Sequence, residues 1–134
     1  MTATLISVVI PCFNQAAFLG AAIESVQAQE GVATEILVID DGSTDHSAEV
    51  ASRYDEVLLR KQSNAGLAAT RNAGLALCHG AFVVFLDADD LLLPGALRAG
   101  LRCLEQNPES AFAWGRYRVD YGGGGEIEPP CPQG

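Results

Sequence analysis

Positive charge is scarce in this sequence. Lys61 and seven arginines stand against 17 Asp and Glu, leaving a formal net charge of −9 over 134 residues. No basic stripe exists for a polyanion to follow, which argues against nucleic acid as a partner. An acidic chain still binds phosphates where a metal or backbone dipoles supply the positive field. Long apolar runs are missing too. "LISVVIP" (5–11) is too short to cross a bilayer and lacks both a basic flank and a small-residue cleavage site. It reads as a strand, not a signal, and no transmembrane segment is expected. Charged residues make up only 19% against 49% hydrophobic, a globular rather than disordered balance. A chain of this length suits one domain that buries roughly 65–70% of its extended surface. The four cysteines (Cys12, Cys78, Cys103 and Cys131) form no C-x-x-C spacing. Three of them lie in apolar stretches, as small buried thiols do, which points to a reducing compartment, the cytoplasm. There is no G-x-x-x-x-G-K-[ST] phosphate loop and no Ser/His/Asp or Cys/His arrangement. His46 and His79 have no partner at metal-ligand spacing and read as surface residues.

What is present alternates. "LISVVIP" (5–11), "EILVID" (35–40) and "AFVVFLD" (81–87) are continuously apolar, as strands covered on both faces are. "EVLLR" (56–60) and "AFAWGRYRV" (111–119) are weaker candidates. Over 16–29, Phe18, Leu19, Ala22, Ile23 and Val26 make a helical stripe, and over 95–106 Leu97, Leu101 and Leu104 repeat it, with Pro94 suited to the first turn. Helices are also expected over 44–54, capped by Ser43 or Thr44, and over 67–78. The pattern predicts an α/β fold with a mostly parallel sheet flanked by helices. Residues 1–120 form the expected domain. The segment 121–134, with four consecutive glycines and three prolines, reads as loop or disorder.

In a parallel sheet, ligands collect at the carboxyl ends of the strands. Three carboxylates, Asp87, Asp89 and Asp90, stand there within four positions after the run Phe82 to Leu86. Each raises the cost of ionising the others. A hard divalent cation with oxygen ligands would relieve that repulsion and bridge to a diphosphate. The competing reading is a solvated loop in which Asp89 or Asp90 caps the next helix. In "IDDGSTD" (39–45), Asp40 and Asp45 read as turn and first-turn residues, and Asp41, beside the glycine, as the better ligand candidate. "NAGLAATRNAG" (64–74) brings Asn64 and Arg71, the latter suited to a phosphate oxygen or simply to an exposed helix face.

Taken in order, "VVIPCFNQAAFLGAAIESVQAQ", "EILVIDDGSTDHS" and "NAGLAATRNAGLALCHGAFVVFLDADDLLLPGAL" closely resemble family 2 glycosyltransferases of the GT-A fold, over about residues 5 to 120. The resemblance implies transfer of a sugar from a nucleotide-diphosphate sugar, a UDP-sugar above all, to an acceptor hydroxyl, inverting and assisted by Mn²⁺ or Mg²⁺. It places Pro11 and Phe13 along the base and Asp41 in a hydrogen bond to it. Asn64 and Arg71 line the nucleotide and diphosphate pocket. Asp87 and Asp89 match the metal motif, Asp89 as direct ligand and Asp87 also toward the ribose or sugar.

The sequence departs from the family toward its end. Beyond Glu109 only Asp120, Glu126 and Glu128 are carboxylates, and none matches the family's base, so no catalytic residue is assigned. The chain looks truncated before the acceptor half. The competing expectation is therefore a non-catalytic fragment that binds a nucleotide or associates with itself as a homo-oligomer. A glycan or glycolipid acceptor would bring the chain to the inner face of the membrane. A dehalogenase-type phosphatase or a response regulator would need a lysine after the aspartates, and Lys61 precedes them.

Overall fold

The computed structural model describes residues 3–120, 122 and 126–127. It divides into two compact units, Met1–Arg98 and Ala99–Gly134. In the first, the apolar runs become four parallel strands: β1 (Leu5–Cys12), β2 (Ala33–Asp40), β3 (Val57–Lys61) and β4 (Phe82–Phe85), in the order β3-β2-β1-β4. The register pairs Leu5 with Ala33 through Cys12 with Asp40, and Ile6 with Phe82 through Val9 with Phe85.

Helix α1 (Ala16–Gln27), α2 (Ser47–Ser52) and α3 (Leu67–Leu75) cover the sheet. Strand alternation sends Val9, Leu37 and Ile39 to one face, where Ala73, Leu77 and Cys78 of the α3 segment pack on them. Val8, Ile10, Ile36 and Val38 point to the other face and are also buried. So are Leu19, Ala22, Ile23 and Val26, the predicted stripe of α1. Each fully buried Ile, Leu or Val contributes about 1.5–3 kcal/mol relative to exposure. The sheet grows from β1 to β3 and then returns to place β4 on the far side of β1. Right-handed crossovers therefore put α3 on the face opposite α1 and α2. The reversal opens a crevice at the carboxyl ends of β1 and β4.

The parallel α/β expectation holds, with local corrections. α2 is shorter than 44–54, and neither Ser43 nor Thr44 caps it; the Asp45 carboxylate accepts from the Ser47 N–H at 2.9 Å instead. α3 ends at Leu75. α4 (Ala96–Gln106) begins after Pro94, because Gly95 at φ +79° makes a turn there. In the second unit the strand expected over 111–119 shrinks to β5 (Val119–Asp120), antiparallel to β6 (Glu126–Ile127). Phe112, Trp114 and Tyr117 of "AFAWGRYRV" are exposed, where the side chains of an apolar strand are covered. Apart from Gly122 and β6, the loop expected over 121–134, with Glu128 and Cys131, lies outside the described residues. Cys12, Cys78 and Cys103 are free thiols. Among the described residues no helix is long and apolar enough to cross a membrane.

Candidate functional site

The loops after β1 and β2 are tied together by side chains. Asn14 takes φ +51°, a conformation asparagine tolerates better than most residues. Its Oδ1 accepts from the Thr44 N–H at 2.8 Å, and its own N–H donates to Ser43 Oγ at 3.0 Å. Asp45 accepts from Ala16 N–H at 3.1 Å, so a carboxylate from the next loop caps the start of α1. Hydrogen bonds, the Ser47 contacts first, hold the Asp45 carboxyl below its usual range. This lattice frames Pro11, buried in β1, and Phe13, which leaves 48% of its surface exposed beside it.

Asp41 follows β2 and is buried. Its N–H donates to the Cys12 carbonyl at 2.8 Å. Its carboxylate accepts from Gln62 Nε2 at 2.9 Å, from Ala65 N–H at 2.8 Å and from Gly66 N–H at 3.0 Å. Burial alone would raise its pKa, but these donors outweigh it and keep the group ionised below the ordinary range. Asn64 Nδ2 donates to the Asp41 carbonyl at 3.1 Å. Gly42, at φ +78°, lies so close that a Cβ there would come within 2.8 Å of the Asn64 nitrogen. Asp41 and Asn64 are thus brought together at the entry to α3.

One turn into α3, Arg71 reaches the strand on the far side of β1. Its Nη2 lies 3.2 Å from Asp87 Oδ1, and its guanidinium carbon sits 5.9 Å from the Phe85 ring centroid. Its buried Nε has no hydrogen-bond partner among the described residues. Asp87, Asp89 and Asp90 each offer a carboxylate oxygen, all within 4.8 Å of one another. Partial desolvation, then the charges of Asp89 and Asp87, raise the Asp90 pKa. Oxygens around one hard cation stand about 3–4 Å apart, so small side-chain rotations would let this set hold one. The loop beyond is fastened to α1: Leu92 N–H donates to Ser25 Oγ at 3.0 Å, and Gln29 Nε2 to the Leu93 carbonyl at 2.9 Å.

Asn14, Gln62, Ser25 and Gln29 were not singled out by the sequence. Asn14 in a loop after a strand carried a weak signal, and the others act across long separations that no spacing reveals. The expectation that Asp40 and Asp45 serve their turns is met, since Asp40 Oδ1 accepts from the Ser43 N–H at 3.1 Å. His79, read as bland, belongs to a clip at the opposite edge of the sheet. There Glu35 accepts from Ser7 Oγ at 2.5 Å and from the His79 N–H at 2.6 Å.

The parallel four-stranded sheet with flanking helices is the GT-A fold of the glycosyltransferase structures it resembles. The chain belongs to glycosyl transferase family 2, whose model matches residues 7–130. An uncharacterized protein of Mycobacterium tuberculosis (strain CDC 1551 / Oshkosh) is 39% identical over 119 residues, which cover 87% of this chain and 37% of the relative. The uncharacterized glycosyltransferase YibD of Escherichia coli (strain K12) is 42% identical over 93 residues, 66% of this chain and 27% of its own. The S. aureus TarS 1–349 structure in complex with UDP superimposes with TM-score 0.70 at 25% identity, over 75% of this chain and 32% of that one. Mannosyltransferase PcManGT from Pyrobaculum calidifontis, in complex with GDP-Man and Mn²⁺, shares the fold with TM-score 0.71 at 24% identity, over 78% and 33%. The chain spans about a third of the length of these two relatives, 37% and 27%.

Proposed function

We propose that this chain forms the donor site of a transferase that moves a sugar from a nucleotide-diphosphate sugar to an acceptor hydroxyl with inversion. The observation that carries the reading is the convergence at one sheet edge of a buried, ionised Asp41, the cation Arg71 and the Asp87/Asp89/Asp90 cluster. UDP in the TarS complex favours a uridine nucleotide as the first ligand to test.

Each residue has a role its position suits. Phe13 offers an exposed ring against which a base can lie. Asp41 retains lone-pair capacity for one N–H of a base after its three protein donors. Asn64 lines the same loop. Arg71, a partly exposed guanidinium beside the cluster, suits diphosphate oxygens. Asp89, exposed, is the direct metal ligand, with Asp87 beside it and toward the ribose or sugar. A divalent cation, Mn²⁺ or Mg²⁺, would act there as a Lewis acid on the leaving diphosphate. We assign no base: Asp120 accepts from the Gly122 N–H at 2.7 Å, and no carboxylate beyond Glu109 matches the base of the family.

Calorimetric titration of UDP into the folded chain, with Mn²⁺ and then with EDTA, tests the reading. Metal-dependent binding that Asp89→Ala abolishes is the expected result. The absence of binding in both conditions would leave a family relic without a donor site.

A further inference from the structure

Three carboxylates crowd the cluster, and among the described residues Arg71 is paired with one of them, Asp87. The Arg71–Asp87 ion pair is open to solvent, the two side chains keeping 39% and 45% of their surface exposed. Such pairs are held weakly and exchange readily. The guanidinium meanwhile rests near the ring of Phe85, itself 43% exposed, and its buried Nε lacks an acceptor among the described residues. A buried donor without a partner is an unfavourable arrangement that a ligand oxygen would relieve.

From this geometry we infer that Arg71 is the resident counter-ion of the acidic cluster. It holds Asp87 until a divalent cation takes that carboxylate over, and then turns its donors to the diphosphate. The inference rests on the donor-site reading above and adds a consequence to it. A free cation meets Asp89 and Asp90 but must displace Arg71 to gain Asp87, so it binds weakly alone. When cation and diphosphate arrive together, the displaced guanidinium meets the phosphate oxygens and its charge is satisfied again. Arg71 is in this sense a positioning residue that couples metal binding to nucleotide binding. A merely structural ion pair would not couple them.

The test reads the free Mn²⁺ signal by electron paramagnetic resonance, with and without UDP, in the wild-type chain, Arg71→Gln and Arg71→Lys. Removing the competing charge should tighten free Mn²⁺ binding by about tenfold in Arg71→Gln, the direction Coulomb's law requires. In the same variant the tightening of Mn²⁺ binding by UDP should shrink. Arg71→Lys, which keeps the charge, should hold free Mn²⁺ close to the wild-type value. Unchanged or weaker free Mn²⁺ binding in Arg71→Gln overturns the counter-ion role, and wild-type UDP binding would still support the donor site. A folded wild-type chain that binds neither Mn²⁺ nor UDP overturns both. A second measurement needs no variant. The Arg71 Nε–H resonance should move when Mg²⁺ and UDP are added to the wild-type chain, and a resonance that stays put with UDP bound refutes the exchange.

Discussion

Asp41 anchors a loop before it meets any ligand. Its two carboxylate oxygens take the Gln62 amide and the N–H groups of Ala65 and Gly66, so it fixes the backbone at the entry to α3. Asn at this position keeps one acceptor oxygen and turns an NH₂ group toward donors. Asp41→Asn should therefore cost about 1–3 kcal/mol of stability through unpaired buried donors. It should also weaken UDP binding more than that loss of folding explains, because the base contact proposed for Asp41 goes with it. Thermal unfolding and UDP titration on one sample check both effects; wild-type stability would show that the anchor is not needed. The sequence singled out Asp41 as a ligand candidate from its place after an apolar strand and beside Gly42, and not as a loop anchor. Its partners were not. Gln62 lies 21 residues away, and no periodicity links a β2 terminus to the residue following β3.

Helix α3 shows how an element places the site. It carries Arg71 above β4 only because it lies close on the sheet, and Gly74 permits this. A Cβ on Gly74 would overlap the Val9 side chain and press on Ile39. Gly74→Ala gains up to about 1 kcal/mol in helix propensity and costs about 1–3 kcal/mol through overpacking. We expect net destabilisation, with Arg71 pushed off Asp87 and the metal-dependent UDP affinity reduced. Denaturant unfolding and UDP titration measure the two effects, and a stabilised variant would contradict the packing account. β1 and β2 were legible because burial on both faces demands unbroken apolar runs, and α1 because its stripe keeps one period; β4 reads as apolar although its Phe85 stays exposed. α2 and residues 111–118 misled for physical reasons. α2 starts late because Asp45, held by α1, sets its first turn. The run 111–118 keeps its aromatic side chains exposed and forms no strand.

At the scale of the whole molecule, the sheet has a polar cluster at each end, and both depend on ionised carboxylates. The candidate site relies on Asp41 and Asp45. At the amino edge, Glu35 joins β2 to Ser7 of β1 and to His79 and Gly80 just before β4. Burial alone would raise the Glu35 pKa, but hydrogen bonds from the Ser7 hydroxyl and from His79 lower it. Asp41 and Asp45 are lowered as well. A carboxylate whose folded pKa lies below its unfolded one binds fewer protons when folded. Its stabilisation is full above the ordinary range of about 4 to 4.5 and is lost as pH falls through the folded value. The chain should therefore lose thermal stability on acidification from about pH 6 toward pH 3, even though its net charge of −9 is being neutralised over the same interval. Glu35→Gln isolates one term. Gln can accept from Ser7 but carries no charge to titrate, so the variant should be less stable at neutral pH and should fall more gently. The gap between the two chains closes as Glu35 in the wild type takes up its proton. Thermal unfolding of both chains at half-unit pH steps tests this, and parallel curves would show that the Glu35 clip holds the strands without its charge.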